Sequence, residues 1–182
     1  MFKYNNMKLL FVTFLAVFFS ACCVSQIPQP NQIILNPNLD KFVGTWRWSS
    51  GTNEIIIQLK KVNYLSKDNI REDVLLGVHK YIFNGAIVED HLSLFLNIGQ
   101  LQKGTIFLFG KLNNVYPDVV TGIIDDNLKN KQNYFSLSYI NGTIPKISWR
   151  ISNLNGSYVP KNGIPQFDNS FTLPQFLILE KQ

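Results

Sequence analysis

The chain has 182 residues and a formal charge of +5, with 46% apolar, 13% aromatic and 16% charged residues. This length predicts one domain with a sizeable buried core, and the aromatic content excludes a disordered chain. The lysines and arginines are scattered, with no basic run longer than Lys60-Lys61, which argues against nucleic-acid binding.

The first predicted element is a secretory signal peptide at residues 1–21. Lys3 and Lys8 come before an apolar run, residues 9–19, that only Thr13 interrupts. A basic segment, a short apolar segment and small residues are typical of such a signal, and the run is shorter than the ~20 residues of a membrane-spanning helix. Removal of Lys3 and Lys8 with this segment lowers the formal charge from +5 to +3.

The end of the signal resembles a bacterial lipobox. In residues 19–22, Phe-Ser-Ala-Cys, small residues stand before a cysteine, and the resemblance implies that Cys22 is acylated and becomes the new amino terminus. Two or three acyl chains anchor a protein stably at a membrane. Cys23 is the second candidate for acylation. The alternative to a lipid anchor is ordinary cleavage near Ser25 or Gln26, which releases a soluble secreted protein.

Residues 22–38 are predicted to be a tether that holds the domain off the membrane. They contain Pro28, Pro30 and Pro37, which favour an extended linker. Both cysteines of the chain lie at the start of this tether, so the domain after it has no disulfide and no thiolate metal site. The expected location is the outer membrane, or another membrane facing the periplasm, reached through the anchor.

Residues 39–182 are predicted to be an all-β domain. Alternating or β-branched segments predict strands within residues 39–48, 54–60, 74–83, 105–112, 119–124, 134–139, 146–151 and 175–180. Asn141-Gly142 predicts a hairpin whose two turn residues have positive φ, and residues 87–101 are either a strand or a short helix. Eight or nine strands at short spacing predict a closed antiparallel barrel, with a sandwich as the alternative. Several strands are apolar on both faces, so part of the outside is expected to be covered.

The first strand carries a family resemblance in Gly44-Thr45-Trp46. A short turn that leads into Gly-x-Trp resembles the lipocalin and calycin-like barrels. The resemblance implies a lipocalin-like barrel in which Gly44 and Trp46 are structural and Trp46 plugs the closed end.

The layout of the whole chain is similar to small exported lipoproteins of Bacteroidetes type that are grouped as a domain of unknown function. The shared features are the Gly-Thr-Trp strand, an Ile- and Lys-rich second strand at residues 55–61, and a final strand that ends in Lys181-Gln182. This resemblance implies a fold and a location in the cell, but no activity.

The chain has only two histidines, and neither predicts a catalytic or metal site. His79 lies on a predicted strand and is interpreted as a hydrogen-bonded structural residue. In Glu89-Asp90-His91, neighbouring strand residues point to opposite faces, so only Glu89 and His91 converge, and two ligands are too few for zinc. We therefore expect no metal, no cofactor and no enzyme activity; a hydrolase that uses carboxylates such as Glu89 is the alternative.

The aromatic residues point instead to a binding function. Trp48, Tyr81 and Trp149 are predicted to line a pocket for a small apolar ligand, with Arg150 as a possible anchor for an acidic group. The predicted function is a non-catalytic binding or interaction module of the cell envelope. In the alternative, the aromatics form a filled core, and the barrel acts through its surface as a structural or inhibitory partner of an envelope protein.

Overall fold

The computed structural model describes residues 31–99, 104–110, 116–154, 158–161, 164–167 and 169–182, with no side chains described in 158–161 and 164–167. The predicted signal peptide, Cys22, Cys23 and the tether up to residue 30 lie outside the described residues. So do residues 111–112, the end of one predicted strand. Within the described ranges, no helix has both the length and the apolar character needed to cross a membrane.

The described chain consists of strands and two 3-10 helices. The strands are β1 (Ile33–Ile34), β2 (Gly44–Ser50), β3 (Asn53–Leu65), β4 (Arg71–Phe83), β5 (Ala86–Asp90), β6 (Ile106–Gly110), β7 (Val119–Asp126), β8 (Lys131–Ile140), β9 (Lys146–Asn153), β10 (Tyr158–Lys161), β11 (Ile164–Phe167) and β12 (Phe176–Lys181). The 3-10 helices are Pro37–Phe42, before β2, and Leu92–Asn97, after β5. The ambiguous stretch at residues 87–101 thus contains most of a short strand, followed by a short helix.

Eight strands close into an antiparallel barrel in chain order. The ring runs β4-β3-β2-β12-β9-β8-β7-β6 and closes because β6 also pairs with β4. Two further strands extend the sheet from β4: β1 pairs in parallel with its start, and β5 pairs with its end. In this up-and-down order the last strand, β12, lies beside the first ring strand, β2. The predicted closed antiparallel barrel of eight or nine strands is confirmed.

Side chains from alternate positions of the ring strands fill the barrel. The largest fully buried side chains of this core are Trp46, Trp149, Phe42, Phe135, Leu39, Ile55, Ile57, Leu59, Leu75, Ile106 and Leu108. Trp149 packs edge-on against Phe135, with ring centroids 4.6 Å apart, and its indole N–H donates to the Pro174 carbonyl oxygen at 2.8 Å. An eight-stranded barrel is narrow enough for side chains to fill it, and here they do.

The first 3-10 helix covers one end of the barrel. The Asn36 side chain caps its start, and Leu39 and Phe42 are fully buried. The Trp46 indole N–H donates to the Phe42 carbonyl oxygen at 2.8 Å, which ties the helix to β2. Gly44 begins that strand with a φ of 127°, which favours glycine.

The second 3-10 helix covers part of the outside of β4. Val74, Leu76 and Val78 point outward from the barrel and are nevertheless buried, in a cluster with Ile98. The Lys60 ammonium donates to the Phe95 carbonyl oxygen of the helix at 3.1 Å. This cover explains why the sequence of β4 is apolar on both faces.

Residues 31–38 belong to the barrel domain, which therefore begins earlier than the predicted boundary at residue 39. The compact unit runs from Asn31 to the end of the chain. The Arg71 N–H donates to the Gln32 carbonyl oxygen at 2.9 Å, and the Asn36 N–H donates to an Asp73 carboxylate oxygen at 3.0 Å. The short β1 is thus fastened to the start of β4.

Two Asn-Gly pairs lie in hairpin connections but have different conformations. Asn84 and Gly85 have positive φ angles of 52° and 78° and form a two-residue turn between β4 and β5. Asn141-Gly142 also joins two paired strands, as predicted, but the expected positive φ at these residues is wrong. The connection spans residues 141–145 because Pro145 has no N–H to donate to the ladder, and β9 begins after it.

We predict that Gly122→Ala strongly destabilises the barrel, because the backbones of β6 and β7 approach closely there. A Cβ at Gly122 would overlap the Phe107 carbonyl oxygen and lie 2.9 Å from Leu108 Cα. We expect a loss of at least about 2 kcal/mol in the free energy of unfolding, measured by urea unfolding with Trp fluorescence. Gly142→Ala is the control, since its Cβ would meet nothing nearer than 3.5 Å. Equal unfolding midpoints for the two variants would contradict this close approach.

Candidate functional site

Polar side chains gather at the barrel end away from the first 3-10 helix, which we call the polar end. Its interior-facing residues include Asp126, Lys131, Asn133 and Asn153. Residues 169–175, the covering segment, lie across this end. The Thr172 N–H donates to an Asp126 carboxylate oxygen at 2.8 Å, and the Lys131 ammonium donates to the Ser170 carbonyl oxygen. The barrel is therefore covered at both ends.

The candidate site lies at the point where β4 changes its partner strand. Residues 74–77 of β4 pair with β6, and residues 80–83 of the same edge pair with β5. His79 stands in the break between these two partners. Thr105 lies directly before β6, and His91 lies directly after β5, so both flank the break.

A β-bulge turns Glu89 and His91 toward His79. The pairing register between β4 and β5 shifts by one residue, which leaves Val88 without a partner on β4. Residues after such a bulge change face. Without the shift, Asp90 would share the face of His79, and Glu89 and His91 would point away.

Three side chains with possible metal-ligand atoms meet at this point. The ligand atoms of His79, Glu89 and His91 all lie within 4.8 Å of one another. Glu89 Oε2 is 2.9 Å from His79 Nε2 and 3.3 Å from His91 Nε2. The side chain of His79 is fully buried and that of Glu89 is 3% exposed, whereas that of His91 is 25% exposed. The cluster is therefore enclosed on the barrel side and reachable at His91.

The two buried members of the cluster are each fixed by a further hydrogen bond. His79 Nδ1 lies 2.8 Å from Thr105 Oγ1, and the Leu128 N–H donates to Glu89 Oε1 at 3.3 Å. A carboxylate only accepts hydrogen bonds, so the Nε2–H of His79 donates to Glu89; Nδ1 then accepts from the Thr105 hydroxyl in a neutral ring and donates to it in a protonated ring. These contacts set the orientation of the imidazole and of the carboxylate.

The pKa of Glu89 is lowered from its usual value. Burial by itself would raise this pKa, but the hydrogen bond and electrostatic attraction of His79, the Leu128 N–H and the hydrogen bond of His91 together outweigh burial. On the opposite face, the hydrogen bond from Lys80 is the largest influence on Asp90 and lowers its pKa. The cluster therefore presents an ionised carboxylate to two imidazole rings.

Thr105, His79 and Glu89 form a chain of hydroxyl, imidazole and carboxylate. Nucleophilic enzymes use this order of groups. Here Thr105 is 8% exposed and His79 is 0% exposed, so the hydroxyl and the imidazole are both buried.

The four predicted pocket residues do not all face one cavity. Trp149 is buried in the core, and its neighbour Arg150 is exposed on the outer surface. Trp48 and Tyr81 face inward near the polar end, and each borders an open groove: Trp48 beside Ile178, and Tyr81 beside the covering segment. Burial raises the pKa of Tyr81.

Strand alternation in the sequence pairs Glu89 with His91 but does not bring His79 to them. The available signal was Asn84-Gly85, a two-residue turn that folds β5 back along β4. Counting outward from that turn places His79 opposite Asp90, so the turn alone does not predict the cluster. The bulge shifts the pairing by one residue, which brings Glu89 and His91 to the face of His79.

We predict that Asp125→Asn stabilises the protein more at about pH 7 than at about pH 3. Burial raises the pKa of Asp125 above its usual 3.8, as does repulsion from Glu89, while a hydrogen bond from Gln132 and attraction to His79 and His91 oppose this. A raised folded-state pKa means that the folded wild type binds the proton more tightly than the unfolded chain. The contribution of Asp125 to wild-type stability therefore falls as pH rises above 3.8 toward its folded-state pKa.

The asparagine variant keeps an oxygen for Gln132 and has no proton to lose, so its stability does not decrease in this way as pH rises. Urea unfolding of both proteins across the acidic range measures the difference in their free energies of unfolding. A difference that stays constant with pH would contradict the prediction.

Comparison with known proteins gives a family but no activity. No curated protein and no solved structure matches this chain. A family model matches residues 7–182, which includes every residue that the structure describes. By this match, the chain belongs to the family of unknown function DUF6705.

Proposed function

We propose that this protein is a non-catalytic binding module of the cell envelope, anchored to a membrane through acylated Cys22. It acts through its outer surface and its polar end, rather than by carrying a ligand inside the barrel. The observation that carries this proposal is the filled interior. The anchor is supported by the lipobox-like residues 19–22 and by the tether that follows them.

A ligand carrier needs an interior cavity, typically of at least ~300 Å³. Here Trp46, Phe135 and Trp149 occupy the barrel and are fully buried. The first 3-10 helix covers one end and the covering segment the other. A ligand would have to displace this packing, which is costly because buried aromatic side chains each contribute several kcal/mol (about 3–5 on truncation). Recognition is therefore left to the outside of the molecule.

The absence of catalysis in this proposal rests on access. The hydroxyl, imidazole and carboxylate chain of Thr105, His79 and Glu89 is buried, so its hydroxyl is not offered to a substrate. Nucleophilic catalysis needs the attacking group within reach of the substrate.

A small apolar ligand is the second candidate, and its best place is the groove between Tyr81 and the covering segment. Tyr81, Phe171 and Leu173 supply apolar surface there. Asn169, Ser170 and Gln175 line the same groove, so it is more polar than the sites of small apolar ligands usually are. This groove is therefore a weaker basis for function than the outer surface.

We expect Cys22→Ser to remove the mass of the acyl chains. Cys23→Ser is the matched control, because it changes the neighbouring cysteine and leaves Cys22 available for acylation. Detergent-phase partitioning and intact mass of both proteins from the native envelope measure the outcome. A Cys22→Ser protein that stays in the detergent phase with acyl mass would contradict the anchor at Cys22.

We also expect the wild-type protein, purified from its own envelope in mild detergent, to give a native mass spectrum without an organic adduct beyond the acyl chains. The filled interior is the reason for this expectation. A reproducible adduct of a few hundred daltons would instead support the small apolar ligand. Loss of that adduct in Tyr81→Ala but not in Arg150→Ala would place it in the groove beside the covering segment.

A further inference from the structure

We propose that the polar end binds one divalent transition-metal ion of the zinc type, with His79 Nε2, Glu89 Oε2 and His91 Nε2 as its protein ligands. The cluster belongs to this end because it contacts Asn127 and Leu128, which directly follow Asp126. This inference deepens the proposed function and rests on it for the polar end as a binding region. It names the ligand class that this end takes.

The donor atoms select the class of ion. Two imidazole nitrogens and one carboxylate oxygen are a set that zinc accepts, commonly with water in the fourth position. Imidazole also suits copper, nickel and iron, whereas calcium and magnesium take oxygen ligands. A site with two histidines and a single carboxylate therefore favours a transition metal over calcium or magnesium.

The spacing of the donor atoms is close to what such an ion needs. With metal–ligand bonds of about 2.0–2.1 Å, the ligand atoms of a tetrahedral site lie about 3.3 Å apart. Glu89 Oε2 is 2.9 Å from His79 Nε2 and 3.3 Å from His91 Nε2. The two imidazole rings meet edge to face with centroids 5.2 Å apart. The ligand atoms as a set lie within 4.8 Å of one another, so a rotation of the His91 ring, which is 25% exposed, brings the two imidazole nitrogens closer and completes the site.

The surrounding contacts are those that support metal ligands. A metal-binding imidazole usually donates its other N–H to an oxygen, and Thr105 Oγ1 lies 2.8 Å from His79 Nδ1. When Nε2 binds the ion, the His79 proton resides on Nδ1 and Thr105 becomes the acceptor, so the imidazole stays neutral. The Leu128 N–H holds Glu89 Oε1 and leaves Oε2 for the ion.

Without an ion, the exposed Asn127 amide caps the two outer acceptors of the cluster. Its Nδ2 lies 2.8 Å from His91 Nε2 and 3.5 Å from Glu89 Oε2. An unprotonated imidazole nitrogen has one lone pair, which either accepts from this amide or binds an ion. An ion at the site therefore takes the place of the Asn127 amide, which turns toward solvent.

The ion has a way in from solvent. The His91 side chain is 25% exposed, and Asn127 beside it is exposed. His79 and Glu89 form the buried floor of the site. Binding therefore needs no opening of the barrel, and the covering segment stays in place.

Calorimetric titration with zinc chloride tests the proposal. The full chain is used in detergent, without a polyhistidine tag and with Cys22→Ser and Cys23→Ser, so that neither a thiol nor the lipid anchor affects the result. We expect one zinc ion per chain, and we expect His91→Ala and Glu89→Gln each to weaken binding at least about tenfold. Glu89→Gln keeps the size of the side chain and an oxygen for Leu128, and circular dichroism verifies the fold of each variant.

Asp90→Asn is the matched control, because Asp90 lies between Glu89 and His91 in sequence but points to the other face and pairs with Lys80 at 2.8 Å. Its zinc affinity should equal that of the parent chain. Absence of zinc binding, or equal affinities for Asp90→Asn and for folded His91→Ala, would overturn the metal site. Such a failure leaves the surface-acting module standing, whereas an organic adduct in the native mass spectrum counts against that module whatever zinc does.

Discussion

The barrel depends on strand β4, which is paired along both of its edges. β3 covers one edge over its whole length. The other edge is shared in succession by β1, β6 and β5, and the β6 contact is the one that closes the ring. One long strand thus pairs with several short ones. At each change of partner, backbone N–H and C=O groups of β4 lack a ladder partner and need other hydrogen bonds.

The candidate site is what fills the break between β6 and β5. The His91 N–H donates to the His79 carbonyl oxygen at 3.0 Å, which continues the ladder past the last residue of β5. The side chains of His79, Thr105 and Glu89 then satisfy one another in a buried position. Buried polar groups are stable only when their partners are complete, so this small network is part of the barrel wall.

The apolar core fills the barrel and also holds its two ends in place. Trp46 is tied to the first 3-10 helix and Trp149 to the covering segment through their indole N–H groups. Each tryptophan therefore packs inside the barrel while its polar atom fastens an end. Of the aromatic residues that suggested a ligand pocket in the sequence, Trp149 is enclosed in the core, whereas Trp48 and Tyr81 face inward and border open grooves.

The period of two in the sequence predicted the strands and the barrel, because apolar residues on alternate positions must share a buried face. Sequence did not predict the cluster of His79, Glu89 and His91. Its formation depends on a bulge at Val88, and a one-residue shift of register leaves no mark in an apolar alternation that is already irregular there. The five-residue connection before Lys146 was missed for a similar reason: Pro145, rather than the Asn-Gly pair, decides where the strand resumes.

NMR tests the convergence of His79 and His91 most directly. The chain has only two histidines, so cross-relaxation between two imidazole rings has one assignment. We predict a nuclear Overhauser effect between the ring protons of His79 and His91, whose centroids are 5.2 Å apart, together with contacts from His79 to the Thr105 methyl group. A folded protein in which His91 shows no contact to His79 would mean that the bulge does not turn β5 inward, and the site would not exist.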